Sequence, residues 1–550
     1  MNEKRKFDLW TAIALAVIGL YVVFLVFPLV NLMFQSVIDE DTGKFTLAYF
    51  LKFFSSSYYF KTLLNSFYVT TAVTVASLVL GTPLAYIFTR FNIKGKKILR
   101  IMIIIASMSA PFVGAYSWIL LLGRSGEITV FLRNVLGINI PSIYGFFGIL
   151  IVLTLQQYPL IFLYISGALK NVDNSLLEAS ENLGCSGIKR FFKIIIPLIS
   201  PTLFAAGLLV FMRALADFGT PILIGEGFRT FPITIYSEYI NELGGNKRFA
   251  AAISIIAIII TTVIFLIQRY FALRKTFTMN SMNKIRPVDA KGIANVLIHV
   301  FSYGLIGISI LPHIYVFYTS FKNVKGLAWA PGYSFQSYID AFDKVGKAIS
   351  NTMLIPAVSL VIVIFLAILI AYISVRRQGT IASFLDSLSM VPYVLPGSVI
   401  GITLLLAFNK QPLILSGTFA IMVVSLVIRR MPYTVRSTAA ILQQIPMNIE
   451  EAARSLGTSK MKTFYQVTVP MMAAGIISGA ILSWITMINE LSSAIIIYTA
   501  RTRTLPIEMY TQIIRGNYGI ASALATMLTG LTIISLIIFD RVSKEEDLSL

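Results

Sequence analysis

Cysteine and histidine are almost missing from this chain: Cys185, His299 and His313 are the whole supply in 550 residues. A lone cysteine excludes an internal disulfide framework and metal sites of the CxxC type. The two histidines stand fourteen positions apart in an apolar segment. That spacing does not place them on adjacent helical turns, so they read as satisfied membrane histidines rather than a chelating pair. Charge is scarce too, at 13% of residues against about 25% in a soluble domain. No G-x-x-x-x-G-K-[ST] run occurs, so the chain has no recognisable nucleotide-binding loop. No nucleophile–base pair or metal cluster stands out either, which argues against an enzyme.

What fills the chain instead is apolar: 57% hydrophobic residues and a mean hydropathy of +0.80. Runs of about 20 apolar residues recur, each long enough to cross a bilayer. The net charge of +20 would suit nucleic acid, but its Lys and Arg gather in short loops between apolar runs. That is the positive-inside pattern, and no nucleic-acid partner is expected.

Lys4, Arg5 and Lys6 precede a run from Trp10 to about Met33. The run is too long for a signal-peptide core and no small-residue cleavage site follows, so it reads as a retained first span with a cytoplasmic N-terminus. Further spans are expected near 62–89, 98–122, 143–169, 194–216 and 249–271, then 293–318, 351–375, 382–408, 414–441, 467–490 and 518–540. The expected fold is an all-α polytopic membrane protein of about twelve transmembrane helices. Residues 1–271 form one half and 293–550 the other, joined by a basic cytoplasmic linker at 272–292 that carries Arg274, Lys275, Lys284, Arg286 and Lys291. The C-terminal Lys544-Glu545-Glu546-Asp547 tail is expected inside.

The halves repeat each other. Leu177-Glu178-Ala179-Ser180-Glu181-Asn182-Leu183-Gly184 runs on to Ile194, Ile196 and Pro197; Glu450-Glu451-Ala452-Ala453-Arg454-Ser455-Leu456-Gly457 runs on to Val467, Val469 and Pro470. The register is constant, since 451 − 178 and 457 − 184 both give 273. Gln156-Gln157-Tyr158-Pro159 falls opposite Arg429-Arg430-Met431-Pro432 at the same offset. Thr230 to Tyr236 matches Thr504 to Tyr510 at 274, and Asn65 and Ala85-Tyr86 match Asn351 and Ala371-Tyr372 at 286. Each half has an even number of spans, so the repeats are parallel, related by an axis along the membrane normal.

Each polar island reads as a short helix, a turn and a second short helix. Ser175-x-x-Glu178 and Asn448-x-x-Glu451 are expected N-caps. Gly184 and Gly457 supply the left-handed stop, basic helices follow (Lys189, Arg190; Lys460, Lys462), and Pro197 and Pro470 suit the first turn of the next span.

These residues resemble the signature of the membrane subunits of binding-protein-dependent ABC importers, Glu-Ala-Ala-x3-Gly-x9-Ile-x-Leu-Pro. Glu178, Ala179, Gly184, Ile194 and Pro197 fit it, with Ser180 and Ile196 as departures. Glu451, Ala452, Ala453, Gly457 and Pro470 fit it, with Val467 and Val469 as conservative changes. The resemblance implies that each island is a cytoplasmic coupling helix docking on a separate ABC ATPase, present as a homodimer that binds ATP and Mg. It implies no cofactor in this chain, an extracytoplasmic solute-binding protein as partner, and a place in the bacterial inner membrane with both termini cytoplasmic. The fused length and the stretch Arg213 to Gly225 resemble the ferric-iron permease subfamily, with thiamine and phosphonate permeases as neighbours.

Candidate pathway residues are those carrying polar groups into apolar runs. Arg429 and Arg430 lie within the tenth run, where a charge costs at least ~2.5–3.5 kcal/mol; with the kink expected at Pro432 they could form a mobile, basic element opposite Gln156 and Gln157. The alternative is that they snorkel or pair with Glu490. Arg213 and Asp217 stand one turn apart and could pair. Asp217 and Glu490, again 273 apart, could be two related acids at the outer mouth, or ordinary helix-end charges. Ferric iron is the leading substrate, with a phosphonate, sugar phosphate or thiamine as alternatives. An ion-coupled secondary transporter is the competing class, and it would need a buried acid, which the expected spans lack.

Overall fold

A computed structural model describes residues 8–108, 110–241, 245–274, 283, 285–326, 328–377 and 379–543. The expected charges at Lys4, Arg5, Lys6, Lys275, Lys284 and the Lys544–Asp547 tail lie outside the described residues. Helix dominates. The described strands are one antiparallel hairpin, Lys322–Lys325 with Ala328–Tyr333, bulged beside Lys322.

Eight helices are long and apolar enough to cross a membrane: Leu9–Ser36, Ser57–Arg90, Phe146–Lys170, Gly187–Leu215, Lys247–Gln268, Gly292–Thr319, Gln336–Arg376 and Tyr518–Ile538. Three more expected spans are bent pairs, broken by 100° after Met108, 109° after Val394 and 66° at Met472. Prolines explain the first two. Ala110 and Leu395 precede Pro111 and Pro396 and are extended, at ψ 132 and 129, because a following proline disfavours the helical region. The count by length and composition therefore reaches eleven among the described residues. The twelfth expected span is present as the helix Phe419–Gln444, but Arg429, Arg430 and Arg436 make it too polar to qualify. The expected span at 351–375 is the upper part of a 41-residue helix kinked at Val345.

The chain forms two compact units that differ from the sequence halves. One gathers the residues up to Leu51, Glu238–Ile258 and Phe335 onward; the other gathers Lys52–Ser237 and Ile259–Ser334. The first helix of each half thus belongs with the spans of the opposite half. The reason is where their apolar and aromatic side chains find partners. Trp10 packs on Tyr372 and Phe464 at 4.5 and 4.8 Å between ring centres. In the other unit Leu305 and Ile306 join the core built by Ser57–Arg90, Phe146–Lys170 and Gly187–Leu215, and the Tyr303 hydroxyl donates to the Lys94 carbonyl (2.6 Å).

The sequence repeats with different offsets meet in space inside each unit. The Asn65 amide donates to the Arg229 carbonyl and the Phe231 amide donates to Ser66 Oγ (3.1 and 2.7 Å). In the other unit Asn351 donates to the Arg501 and Arg503 carbonyls, and the Leu505 amide donates to Thr352 Oγ1 (3.0, 2.8 and 2.7 Å). Asn65, Ser66 and Thr352 are buried and Asn351 half-buried, and each satisfies backbone that would otherwise lack a partner.

Three π turns, Val22–Val26, Phe191–Ile195 and Phe464–Thr468, share one cause. Pro28, Pro197 and Pro470 each stand two residues beyond a turn. A proline lacks the N–H and crowds the carbonyl four residues back. That carbonyl belongs to the central residue of each π turn, where the widened coil accommodates the ring.

Candidate functional site

The two islands are built alike, with one chemical difference. In the first, Asn174–Asn182 is followed by Gly187–Arg190. In the second, Met447–Ser455 is followed by Lys460–Thr463. Both first helices end in the same way. The Cys185 amide donates to the Ser180 carbonyl and Gly184 to Glu181 (2.8 and 2.9 Å); Thr458 donates to Ala453 and Gly457 to Arg454 (3.3 and 3.0 Å). This double closure needs a left-handed residue at its corner, and Gly184 and Gly457 have φ of 74° and 90°. Gly457→Ala should cost about 1–2 kcal/mol, read as a lower midpoint of thermal unfolding in detergent. The added methyl would meet nothing within 4 Å, so a null result would mean the turn is not under this constraint.

The starts differ from the expected caps. Asp173, not Ser175, caps the first helix, its Oδ1 accepting from the Ser175 amide (2.9 Å). Pro446 stands at the start of the second, with no side-chain cap, its fixed φ compatible with helix entry. Glu178 is exposed and accepts from Asn174 (2.7 Å); Ala179, Glu451 and Ala452 are exposed as well, and Ala453 is half-buried. Arg190, one of the residues that make the second short helix basic, is 6% exposed and pairs with Glu181 at 2.9 Å, bracing the helix–turn–helix.

The tips carry a feature that the sequence reading quoted but did not use. Leu183 and Leu456, again 273 apart, are 86% and 87% exposed. The signal was an apolar residue held immediately before each glycine.

The second island is also tied to a span. Glu450 accepts from Arg376 Nε (2.7 Å) and the Tyr372 hydroxyl (3.1 Å), and Arg376 donates onward to the Ile445 carbonyl (2.8 Å). At offset 273 the first island has Leu177 in place of Glu450. Glu450→Leu should therefore loosen the second island alone. A cavity beside Arg376 lets the stranded guanidinium hydrate, so the expected cost is about 1.5–3 kcal/mol, that of a hydrogen bond to a charged group. Faster amide hydrogen exchange across Met447–Ser455 would check it, and exchange unchanged from wild type would refute it.

In the same unit Arg429 and Arg430 converge on one carboxylate, each pairing with Glu490. Both guanidinium side chains are 13% exposed and Glu490 3%. Ser492 Oγ, the Ser493 amide and Ser493 Oγ complete the shell of Glu490 Oε1 at 2.9, 2.9 and 3.1 Å. Gly397 allows the approach: a Cβ there would stand 2.7 Å from Arg429 Nη1. The arginines thus take up the pairing with Glu490 that was the alternative expectation, and their helix runs on past Pro432 to Gln444. The expectation that the spans hold no buried acid is corrected as well. Glu490, the last residue of the expected span 467–490, is 4% exposed; outside the expected spans Glu450 and Glu508 are 5% and 2% exposed, each with donors around it, Glu508 taking Arg503 and Gln512 (3.4 and 3.0 Å).

Asp217 makes the turn that Glu490 makes in the other unit, accepting from the amide three residues on, Thr220 (3.0 Å). Arg213 is exposed one turn earlier. Gln157 is buried, and Gln156 lines a small cavity of about 30 Å³ with Trp118, Ser309 and His313. Such a space holds about one water. His299 Nδ1 lies 2.8 Å from the Asn295 carbonyl. No group of three or more His, Cys, Asp and Glu suited to a metal ion occurs among the described residues.

Two repeated sets of apolar helices, each with an island of matched geometry, make a fused two-half membrane protein. The sequence profile of the binding-protein-dependent transport system inner membrane component matches twice, over residues 77–276 and 344–545, and the chain belongs to that family. It is accordingly a multi-pass inner-membrane transport subunit of an ABC importer. Both matches begin after the first helix of each half, the helix that joins the opposite unit. The chain is 28% identical over 543 residues to a ferric transport system permease protein of Actinobacillus pleuropneumoniae, covering 96% of this chain and 77% of that one. A Haemophilus influenzae homologue described in similar terms is 29% identical over 497 residues, covering 89% and 78%. A molybdate/tungstate transport system permease protein of Pyrococcus furiosus is 30% identical over 178 residues, 32% of this chain and 69% of that one.

Proposed function

We propose that this chain carries ferric iron from an extracytoplasmic binding protein to the cytoplasm, driven by a homodimeric ABC ATPase that binds ATP and Mg outside this chain. The observation that carries the reading is the pair of islands. Each is a rigid helix–turn–helix with an exposed acidic-alanine face (Glu178, Ala179; Glu451, Ala452) and an apolar tip. Such an element can be gripped by a partner and can transmit a bias between two arrangements of the spans, provided the partner contacts it differently with and without ATP. On this reading both islands and both termini are cytoplasmic. Iron is supported by similarity to ferric permeases along almost the whole chain. In this reading Arg429, Arg430 and Glu490 form a structural cluster. Gln156, Gln157, Arg213 and Asp217 remain candidates for lining the path.

A second reading, import of an oxyanion or phosphorylated solute, is favoured by one observation: two guanidinium groups on one carboxylate leave the cluster positive. Partial similarity to a molybdate/tungstate permease points the same way. Uptake into proteoliposomes holding this chain, its ATPase and its binding protein separates the two, with labelled ferric iron and a labelled phosphorylated solute side by side. ATP-dependent uptake of iron alone is expected. Uptake of the phosphorylated solute alone would overturn iron and keep the importer, and gradient-driven uptake without ATP would overturn the importer.

A further inference from the structure

A cavity of about 160 Å³ opens behind the second island, lined by Trp10, Tyr372, Arg376, Arg377, Glu450, Arg454 and Lys460 among others. A water takes ~30 Å³ in the liquid, so the space holds several waters or a small tetrahedral anion. Its charges do not balance. Arg376, Arg377, Arg454 and Lys460 face two carboxylates, Glu450 in the wall and Asp8 on Arg377 (2.7 Å), leaving two positive charges in excess. Asp8 responds to this field: its hydrogen bond to Arg377 and the charges of Arg377 and Lys460 hold its carboxyl below the usual range, against partial burial.

The fold does not demand this arrangement. At the repeat offsets of 286 and 273, Arg377, Arg454 and Lys460 correspond to Phe91, Glu181 and Gly187 in the first half. Arg376 has a basic counterpart in Arg90, so the three other cations are the ones peculiar to the second half. The site also has a defined level. It lies where Leu9–Ser36 begins and Gln336–Arg376 ends, with Trp10 and Tyr372 in its wall, the signature of a membrane–water boundary.

We propose that this cavity binds a phosphate-type oxyanion, held by Arg377, Arg454 and Lys460. Guanidinium groups match phosphate oxygens two at a time, and basic pockets at this level between spans take phospholipid headgroups. A free phosphate offers the same chemistry. The bound anion would bridge the island, through Arg454 and Lys460, to the end of the span, through Arg377. The site stands on geometry alone; only its bearing on transport rests on the importer reading.

The test measures binding directly on the full chain. One arm titrates inorganic phosphate by calorimetry in a detergent with an uncharged headgroup. The other counts phosphatidylglycerol retained, by native mass spectrometry, after release from nanodiscs of phosphatidylcholine with phosphatidylglycerol. One-site binding in either arm is expected, weakened at least tenfold in R454Q/K460Q and kept within about threefold in the charge-preserving R454K/K460R. Binding in the lipid arm alone assigns a headgroup, and binding in the phosphate arm assigns a free anion. Neither Arg454 nor Lys460 belongs to the Glu450 or Asp8 ion pair, and matching size-exclusion profiles would show that both variants fold. Failure of both arms with wild-type protein, or equal binding by R454Q/K460Q, overturns the site. Either result leaves ATP-driven uptake as a separate measurement of the importer reading.

Discussion

Glu490→Gln should destabilise the protein by about 3–5 kcal/mol, the cost of breaking a buried ion pair by removing one partner. Glu490 is the common acceptor for Arg429 and Arg430. Without it two guanidinium groups face each other in a space so close-packed that a Cβ at Gly397 would stand 2.7 Å from Arg429 Nη1. Ser492 and Ser493 cannot compensate, because a hydroxyl offers no charge. The measurement is the midpoint of heat-induced loss of monodisperse protein in detergent. The triple variant E490Q/R429Q/R430Q should recover most of the loss, since replacing a whole buried charge cluster is often close to neutral. A midpoint unchanged in E490Q would mean that water reaches the cluster freely.

Leu183→Asp combined with Leu456→Asp should weaken association with the ATPase by about 10²–10⁴-fold. Burying one leucine side chain is worth about 1.5–3 kcal/mol, two such tips about twice that, and each 1.4 kcal/mol is tenfold in Kd. Both side chains are more than 85% exposed, so the chain's own unfolding midpoint should not move. That separates a docking role from a folding role. Leu183→Met with Leu456→Met keeps the apolar volume and should stay within about threefold of wild type. ATPase affinity unchanged in the aspartate variant would remove the tips from the interface.

Much of this was legible in one dimension because membrane solvation writes itself into composition. Apolar runs of span length, Lys and Arg between them, and glycine at each island's turn are local requirements that only certain residues meet. The same holds for the offset of 273, which placed Gly184 opposite Gly457 and the two islands in register. Local pattern failed where two residues compete for one role. Ser175 is a good cap by type, but Asp173 is the residue whose carboxylate reaches the amide two residues on. Arg190 is basic in sequence and buried in fact, because Glu181 sits within reach on the preceding helix.

The sequence by itself determined the class of protein, the repeat, the order of the long apolar segments and the two islands, since each follows from periodicity, solvation and backbone stereochemistry within a few turns. Tertiary structure decided the rest. It placed the helices Leu9–Ser36 and Gly292–Thr319 in the units of the opposite halves, because burial rewards whichever complementary surface is available, at any separation along the chain. It gathered Arg429 and Arg430 onto Glu490 across sixty residues, because a charge carried into an apolar medium is stable only beside its counter-charge. It also left four cations around one cavity behind the second island, a juxtaposition of residues from two distant segments that no single stretch of sequence contains.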